Sequence, residues 1–287
     1  MVNLQHKALI DAANVELGNI LIQGTERPRY TVDPEDGFVS SGSYGKVFVG
    51  YDNLNGGGRV AIKISRDINT ESEVIFNREA EILARYPHAN LAEIYGCHKG
   101  ASGKTILVME YLPFSLANKF AEEELDLEKV IYYIEPVCIA VDHLHEKGIT
   151  HRDIKPANIL VSEDGAVKLS DLGSSNYTNE VSTAGGAAIY RAPESFPGEG
   201  EKFFPASDLY SIAVVTFEAF AKTTPFTGVS DESRILELKK DLDYIKKECK
   251  KLGLDKRLIR VLLKSMNPAP DQRYKSGRNY ARALKRL

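Results

Sequence analysis

His151-Arg152-Asp153-Ile154-Lys155-Pro156-Ala157-Asn158 is the stretch that most restricts what this chain can fold into. Eight residues bring an acid, a lysine and an amide onto one short loop. Such a loop can take a proton from a hydroxyl, steady a phosphate and hold a metal ion. Thirteen residues after Asn158, Asp171-Leu172-Gly173 makes a second acidic turn, and upstream lie a glycine-rich hairpin and Val60-Ala61-Ile62-Lys63. These are the parts that phosphoryl transfer requires.

The patterning around them changes once along the chain. Residues 38–39, 46–51, 59–64, 94–98 and 105–109 read as five antiparallel strands, with Asn55-Gly56-Gly57-Gly58 making a turn that needs positive φ. Residues 71–86 read as a helix that Pro87 stops. After Glu110 helical stretches dominate: 127–147, ended by Gly148 and kinked at Pro136, then 207–221, 234–252, 255–266 and 277–287. Short strands at Ile159-Leu160-Val161 and Val167-Lys168-Leu169 flank a turn. At the start, Leu4, Ala8, Ala12, Val15 and Leu21 form a helical stripe expected to dock on the body of the same chain, with docking on another molecule the alternative, and the polar 25–37 segment with Pro28 and Pro34 reads as a linker. Lys239, Lys240, Lys246, Lys247, Lys250 and Lys251 stand among Glu237, Asp241, Asp243 and Glu248, a pattern that reads as a solvated face on 234–252. At 287 residues one large or two small domains are expected. The pattern predicts an α+β chain with a small five-stranded antiparallel lobe carrying one helix, then a larger, mainly helical lobe.

Spacing adds chemistry. Ala61 and Lys63 face the same side of their strand. Glu79 shares a helix face with Ile75, Ile82 and Leu83. A carboxylate on an apolar face needs a cation, for which Lys63 is the natural partner. Glu73 is the weaker candidate for that role, and Glu81 reads as an exposed residue.

With Ala192-Pro193-Glu194, with Asp208-Leu209-Tyr210-Ser211-Ile212-Ala213 and with Arg273, these segments resemble the eukaryotic-type serine/threonine protein kinase family, from about Phe38 onward. The resemblance implies the two-lobed kinase fold: a partly helical extension over 1–35, an N-lobe over 36–109, a hinge over 110–116 and a C-lobe over 117–287. It implies ATP and Mg²⁺ as cofactors and a protein substrate. Val39, Ser40, Gly42, Tyr44, Gly45 and Val47 would cover the nucleotide, with Ser40 where the family usually has glycine. Ala61 would lie over the purine, Lys63 would reach the α- and β-phosphates, and Met109, Glu110, Leu112 and Leu160 would complete the nucleotide set. Asp153 would accept the hydroxyl proton, Lys155 would neutralise the γ-phosphoryl charge, and Asn158 and Asp171 would hold the metal. His151 would pack in the core, and with Leu83, Ile94 and Leu172 it would complete a stacked column. Asp208 would anchor the catalytic loop, and Arg273 would pair with Glu194. Arg152 would receive a phosphate on Thr183, placed there by the chain itself or by an upstream kinase. Ser182 is the competing position, and an unmodified, ordered segment is the alternative.

Lys155, two residues after Asp153, is the serine/threonine pattern. The departures from the family are Ser40, a hinge one residue short at Pro113-Phe114-Ser115-Leu116, Leu172 for the commoner Phe, Ala187 in place of a threonine, and Tyr210 and Ala213 where Trp and Gly are usual. A second reading, a pseudokinase serving as a nucleotide-binding or scaffold module, runs against the presence of Lys63, Asp153 and Asp171. A small-molecule phosphotransferase runs against the Ala192-Pro193-Glu194, Asp208 and Arg273 set. The net charge of −3 gives no reason to expect nucleic acid. Cys97, Cys138 and Cys249 have no metal-type spacing and suggest a reducing compartment. The apolar run 212–221 is short and broken by Glu218, and Asp11 and Glu16 interrupt any signal peptide. A cytoplasmic protein without membrane partners is expected. Fourteen residues follow Arg273, so one closing helix and no appended regulatory domain are expected.

Overall fold

The computed structural model describes residues 4–35, 37–42, 44–54, 56–68, 70–177, 187–199 and 202–287. The chain divides into two compact units, Met1–Pro87 with Ala92–Leu112, and His88–Leu91 with Pro113–Leu287.

The first unit holds α1 (Leu4–Leu17), β1 (Tyr30–Val32), β2 (Phe38–Ser41), β3 (Gly45–Asp52), β4 (Gly58–Ser65), α2 (Glu71–Arg85), β5 (Ile94–Lys99) and β6 (Thr105–Glu110). Its six-stranded sheet runs β1-β3-β4-β6-β5, with β2 also on β3. Gly56 and Gly57, at φ 72° and 78°, turn β3 into β4, as a tight hairpin demands. A period of two then sorts the side chains. Val60, Ile62 and Ile64 of β4, with Phe48, Ile106 and Val108, form one core with Ile10, Ala13 and Leu17 of α1 and with Ile20. The N-terminal helix therefore docks on its own chain, but through Ile10, Ala13 and Leu17 and not through the expected stripe, of which Ala8, Ala12, Val15 and Leu21 are exposed. Lys63 lies between Ile62 and Ile64, faces the other way and pairs with Glu79 on α2.

The expected linker at 25–37 contains β1, so the sheet has six strands where the sequence suggests five. Tyr30, Thr31 and Val32 pair with Asp52, Tyr51 and Gly50. The Arg29 guanidinium donates twice to Asp52, at 3.2 and 3.0 Å. The Tyr51 hydroxyl donates to Asp33 at 2.7 Å, and the Val32 N–H donates to the Asn14 side chain at 2.9 Å. Three residues in a polar stretch between two prolines, with no adjacent hairpin turn to mark them, do not declare a strand.

The second unit holds β7 (Phe114–Ser115), α3 (Leu116–Glu122), α4 (Leu127–His145), β8 (Ile149–Thr150), β9 (Ile159–Val161), β10 (Val167–Leu169), β11 (Asn176–Tyr177), α5 (Pro205–Ala221), α6 (Glu232–Lys240), α7 (Leu242–Lys251), α8 (Lys256–Ser265) and α9 (Gly277–Leu284). Helix α5 is buried along most of its length and packs against α4 and α8. Buried Asp142 of α4 accepts the N–H groups of Gly277 and Arg278 at 2.6 and 2.8 Å, which fixes the start of α9. Gly148 takes φ 72° where α4 ends.

Two expectations change here. The single helix over 234–252 is two helices, because the Asp241 side chain caps α7 through the Tyr244 N–H at 2.9 Å and its own backbone leaves the helical region. Helix α3 was hidden in the hinge-like stretch, where Ser115 and Asn118 form a reciprocal cap. Among the described residues, no helix is long and apolar enough to cross a membrane.

Candidate active site

Register places the first set of groups. Ala61 stands opposite Val49 and Met109 in the sheet, and Lys63 opposite Val47 and Leu107. The Lys63 ammonium donates to Glu79 Oε2 at 2.6 Å and lies 5.4 Å from the centre of the Phe76 ring. Glu79 is 1% exposed. A carboxylate so deeply buried needs that cation, since loss of either partner would strand a charge. Glu73 pairs instead with Lys99, and Glu81 makes an exposed 3.9 Å contact with Arg85. The choice among the three acids is settled by which helix face meets the sheet. Met109 and Leu112 are buried, Glu110 is partly so, and the chain leaves this unit at Leu112.

The two loop glycines differ. A Cβ on Gly45 would sit 2.4 Å from the Ile64 carbonyl and 2.6 Å from the Phe76 ring, whereas one on Gly42 would meet only the Gly45 carbonyl, at 3.8 Å. Packing therefore demands glycine at 45 and leaves room at 42. The Gly42 N–H donates to the Gly45 carbonyl at 2.9 Å, closing the turn. Val39, Ser40 and Tyr44 are exposed, and Val47 is half-buried.

In the second unit the loop from His151 to Asn158 is held from beneath. Asp208 is 1% exposed, and its carboxylate accepts the backbone N–H of His151 at 2.9 Å and of Arg152 at 3.0 Å. It also meets His145 Nε2 at 2.7 Å. Burial pushes the Asp208 pKa up, but the hydrogen bond and charge of His145 and the backbone donors outweigh it and hold the group below its ordinary value. This support maintains Arg152 at φ 72°, a left-handed conformation that a side chain adopts at a cost. Asp171 is left-handed too, at φ 63°.

His151 is fully buried. Its Nδ1 accepts the Asp153 N–H at 3.3 Å and its Nε2 meets the Ser170 carbonyl at 3.0 Å. A neutral ring protonated on Nε2 satisfies both contacts, so His151 serves as a core hydrogen-bonding residue. The Asp153 carboxylate receives Lys155 Nζ at 2.6 Å, Asn158 Nδ2 at 3.0 Å and the backbone N–H of Ala187 at 3.3 Å. Ala187, where a threonine is expected, thus still contacts Asp153 through its backbone.

Asn158 Nδ2 also donates to the Asp153 carbonyl at 2.8 Å. Both amide hydrogens have partners, so the amide oxygen is what this side chain can offer a cation. Ser170, next to Asp171, donates through its N–H at 2.9 Å and its hydroxyl at 3.0 Å to the Asn158 carbonyl. Asn158 and Asp171 are therefore carried on backbone segments bonded to each other. Among the described residues no group of three His, Cys, Asp or Glu side chains forms a metal cage. One amide oxygen and one carboxylate fit Mg²⁺, which keeps waters and takes phosphate oxygens for the rest of its shell.

The Arg273 side chain is completely buried. It donates to both oxygens of Glu194 at 2.7 Å and to the carbonyls of Asn267, Ala206 and Pro268. Ser207 also donates to Glu194, at 2.7 Å. Arg152 lies over the Phe203 ring at 4.4 Å and donates to Thr150 at 3.3 Å. Leu160 sits half-buried on β9. Leu83 and Ile94 belong to the first unit, and His151 and Leu172 to the second. Thr183 and Ser182 lie outside the described residues. Sequence reasoning missed His145, and it placed Lys239 in solvent although the residue is fully buried.

A model of the protein kinase domain matches residues 35–277. Similar chains include a protein of Clostridium acetobutylicum named a probable serine/threonine-protein kinase, 30% identical over 262 residues, covering 86% of this chain and 38% of that one. The serine/threonine-protein kinase PknB of Mycobacterium tuberculosis is 30% identical over 232 residues, 76% of this chain and 37% of its own. The MAP kinase kinase kinase wis4 of Schizosaccharomyces pombe is 31% identical over 220 residues, 69% and 16% respectively. The chain thus spans little more than a third of the length of these bacterial relatives.

Proposed function

Because the chain belongs to the protein kinase family, we propose that it moves the γ-phosphoryl group of ATP onto a serine or threonine hydroxyl of a protein substrate. The observation that carries this reading is the set of groups converging on Asp153 in the second unit. With Lys155 and Asn158 bonded to one carboxylate oxygen and the Ala187 N–H to the other, the carboxylate is fixed to orient an acceptor hydroxyl and take its proton. Lys155, 2.6 Å from that carboxylate, would neutralise charge on the transferring phosphoryl group. On the first unit, Lys63, held by Glu79, is suited to neutralise the phosphates that remain on the nucleotide. Asn158 and Asp171 would hold Mg²⁺, which when bound offsets phosphate charge. The chain contributes positioning and charge, the two terms that dominate phosphoryl transfer.

The three residues whose loss marks a pseudokinase, Lys63, Asp153 and Asp171, are all present in the sequence. A cytoplasmic setting belongs to the same proposal, since ATP is supplied there and Cys97, Cys138 and Cys249 are free thiols. Incubation with labelled ATP, Mg²⁺ and casein, beside an Asp153→Asn control, tests the reading. The wild type should label serine or threonine, identified by hydrolysis of the product. The variant should be slower by about 10² to 10⁴. Equal labelling by both proteins would remove Asp153 from its role.

A further inference from the structure

Lys239 stands on α6 amid charged neighbours, yet it is 0% exposed. Its ammonium donates to the Ile189 carbonyl at 2.6 Å. The ring centres of Phe226 and Tyr210 lie 4.1 and 4.9 Å from it, and the Arg273 guanidinium lies 5.1 Å from the same Tyr210 ring. The charged groups that act on Lys239 are Arg191, Glu194 and Arg273, and Arg273 holds both Glu194 oxygens. Among the described residues no carboxylate lies within ion-pair distance of Lys239. Burial pushes its pKa well below the ordinary value, and the two arginines push the same way. A methionine would fill this space without that penalty. What the amine adds is a grip on one carbonyl.

That carbonyl belongs to a segment with a defined place. Residue 187 donates its N–H to the Asp153 carboxylate, so the chain over 187–191 starts at the group proposed to take the hydroxyl proton and runs on from there. An acceptor chain that brings its hydroxyl to Asp153 therefore comes close to Ala187, where this segment begins. Two of its other polar groups are tied to α5: the Tyr190 carbonyl accepts from Ser211 at 2.9 Å, and the Tyr190 hydroxyl donates to Glu218 at 2.7 Å. From α6 come a 3.9 Å ion pair between Glu232 and Arg191 and the shorter hydrogen bond of Lys239 to the Ile189 carbonyl.

We infer, resting on the kinase reading above, that Lys239 is a positioning residue for the protein substrate: by holding the Ile189 carbonyl it sets the shape of the 187–191 segment against which the acceptor chain lies. Nucleotide handling does not pass through this contact. The experiment compares the full chain as wild type, Lys239→Met and Lys239→Arg. Dephosphorylated casein is the acceptor, and ATP hydrolysis without acceptor is measured in parallel. K239M keeps the apolar stem and loses the donor. Its KM for casein should rise about fivefold or more, while KM for ATP and acceptor-free hydrolysis stay within about twofold of wild type. K239R keeps a donor in a different shape and should fall between the two. Should K239M not fold, K239R decides: a casein KM raised about twofold or more with unmoved ATP constants supports the role, and constants equal to wild type overturn it. Unchanged casein KM in a folded K239M, or equal losses toward casein and ATP, also overturns it. A wild type that labels nothing overturns the kinase reading itself, whereas an active wild type with an indifferent K239M overturns only the role of Lys239.

Discussion

The two units place their functional side chains by different means. In the first, a sheet does it: Lys63 faces α2 because Ile62 and Ile64 are committed to the core shared with α1. A one-residue slip would turn Lys63 into that core and Ile62 out of it. In the second, loops carry the chemistry, and buried side chains hold the loops by their backbone. Asp208 grips two N–H groups of the loop from His151 to Asn158, Asp142 grips the start of α9, and Arg273 takes three carbonyls besides Glu194. A sheet position is therefore specified by many weak contacts, whereas a loop position hangs on a few strong ones.

The largest single effect should fall in the second unit. Arg273→Met leaves Glu194 buried without its cation and should cost about 3–5 kcal/mol in denaturant unfolding. Loss below about 1 kcal/mol would mean that Ser207 alone can satisfy Glu194. In the first unit Leu17→Ala should cost about 2–5 kcal/mol through the cavity it leaves beneath α1. Asp208→Asn keeps the shape but weakens three hydrogen bonds, with an expected cost near neutral pH of about 2–3 kcal/mol. Because the folded pKa of Asp208 lies below the ordinary 3.8, its stabilisation is fully present above that pH and is lost as pH falls through the folded value. The gap between wild type and D208N should therefore narrow in acid, and a constant gap would contradict the assignment. Gly45→Ala must displace the Ile64 backbone or the Phe76 ring and should cost about 1–3 kcal/mol. Gly42→Ala should leave the melting temperature nearly unchanged, and equal effects at the two glycines would erase the distinction between packing and loop.

Strands of five residues or more were legible because alternation has room to declare itself, as at Val60 to Lys63. The loop around Asp153 was legible because its residue types are rare in that order. β1 was not: it is three residues long like β9 and β10, but it has no Glu163-Asp164-Gly165 turn beside it to mark a hairpin and lies in a polar stretch between prolines. The break at Asp241 was a missed cap: an acidic residue followed three positions later by Tyr244, whose N–H it accepts. Lys239 was misread because its charge was taken as exposure. Its position argued otherwise, since it lies four residues after buried Ile235 and next to buried Leu238, in phase with the inward face of α6. Nothing local could reveal that a carbonyl fifty residues earlier would receive its ammonium.

The family match starts at residue 35, but the sheet's integrity starts earlier. A shortened protein trimmed to that boundary would lose α1 and β1 together. Phe48, Val60, Ile62 and Ile106 would be uncovered, and β3 would present an unpaired margin at 50–52. An apolar face beside an open margin is a template for strand addition from a neighbouring molecule. Aggregation on expression is the expected fate of such a truncation, and a soluble preparation has to retain both α1 and β1.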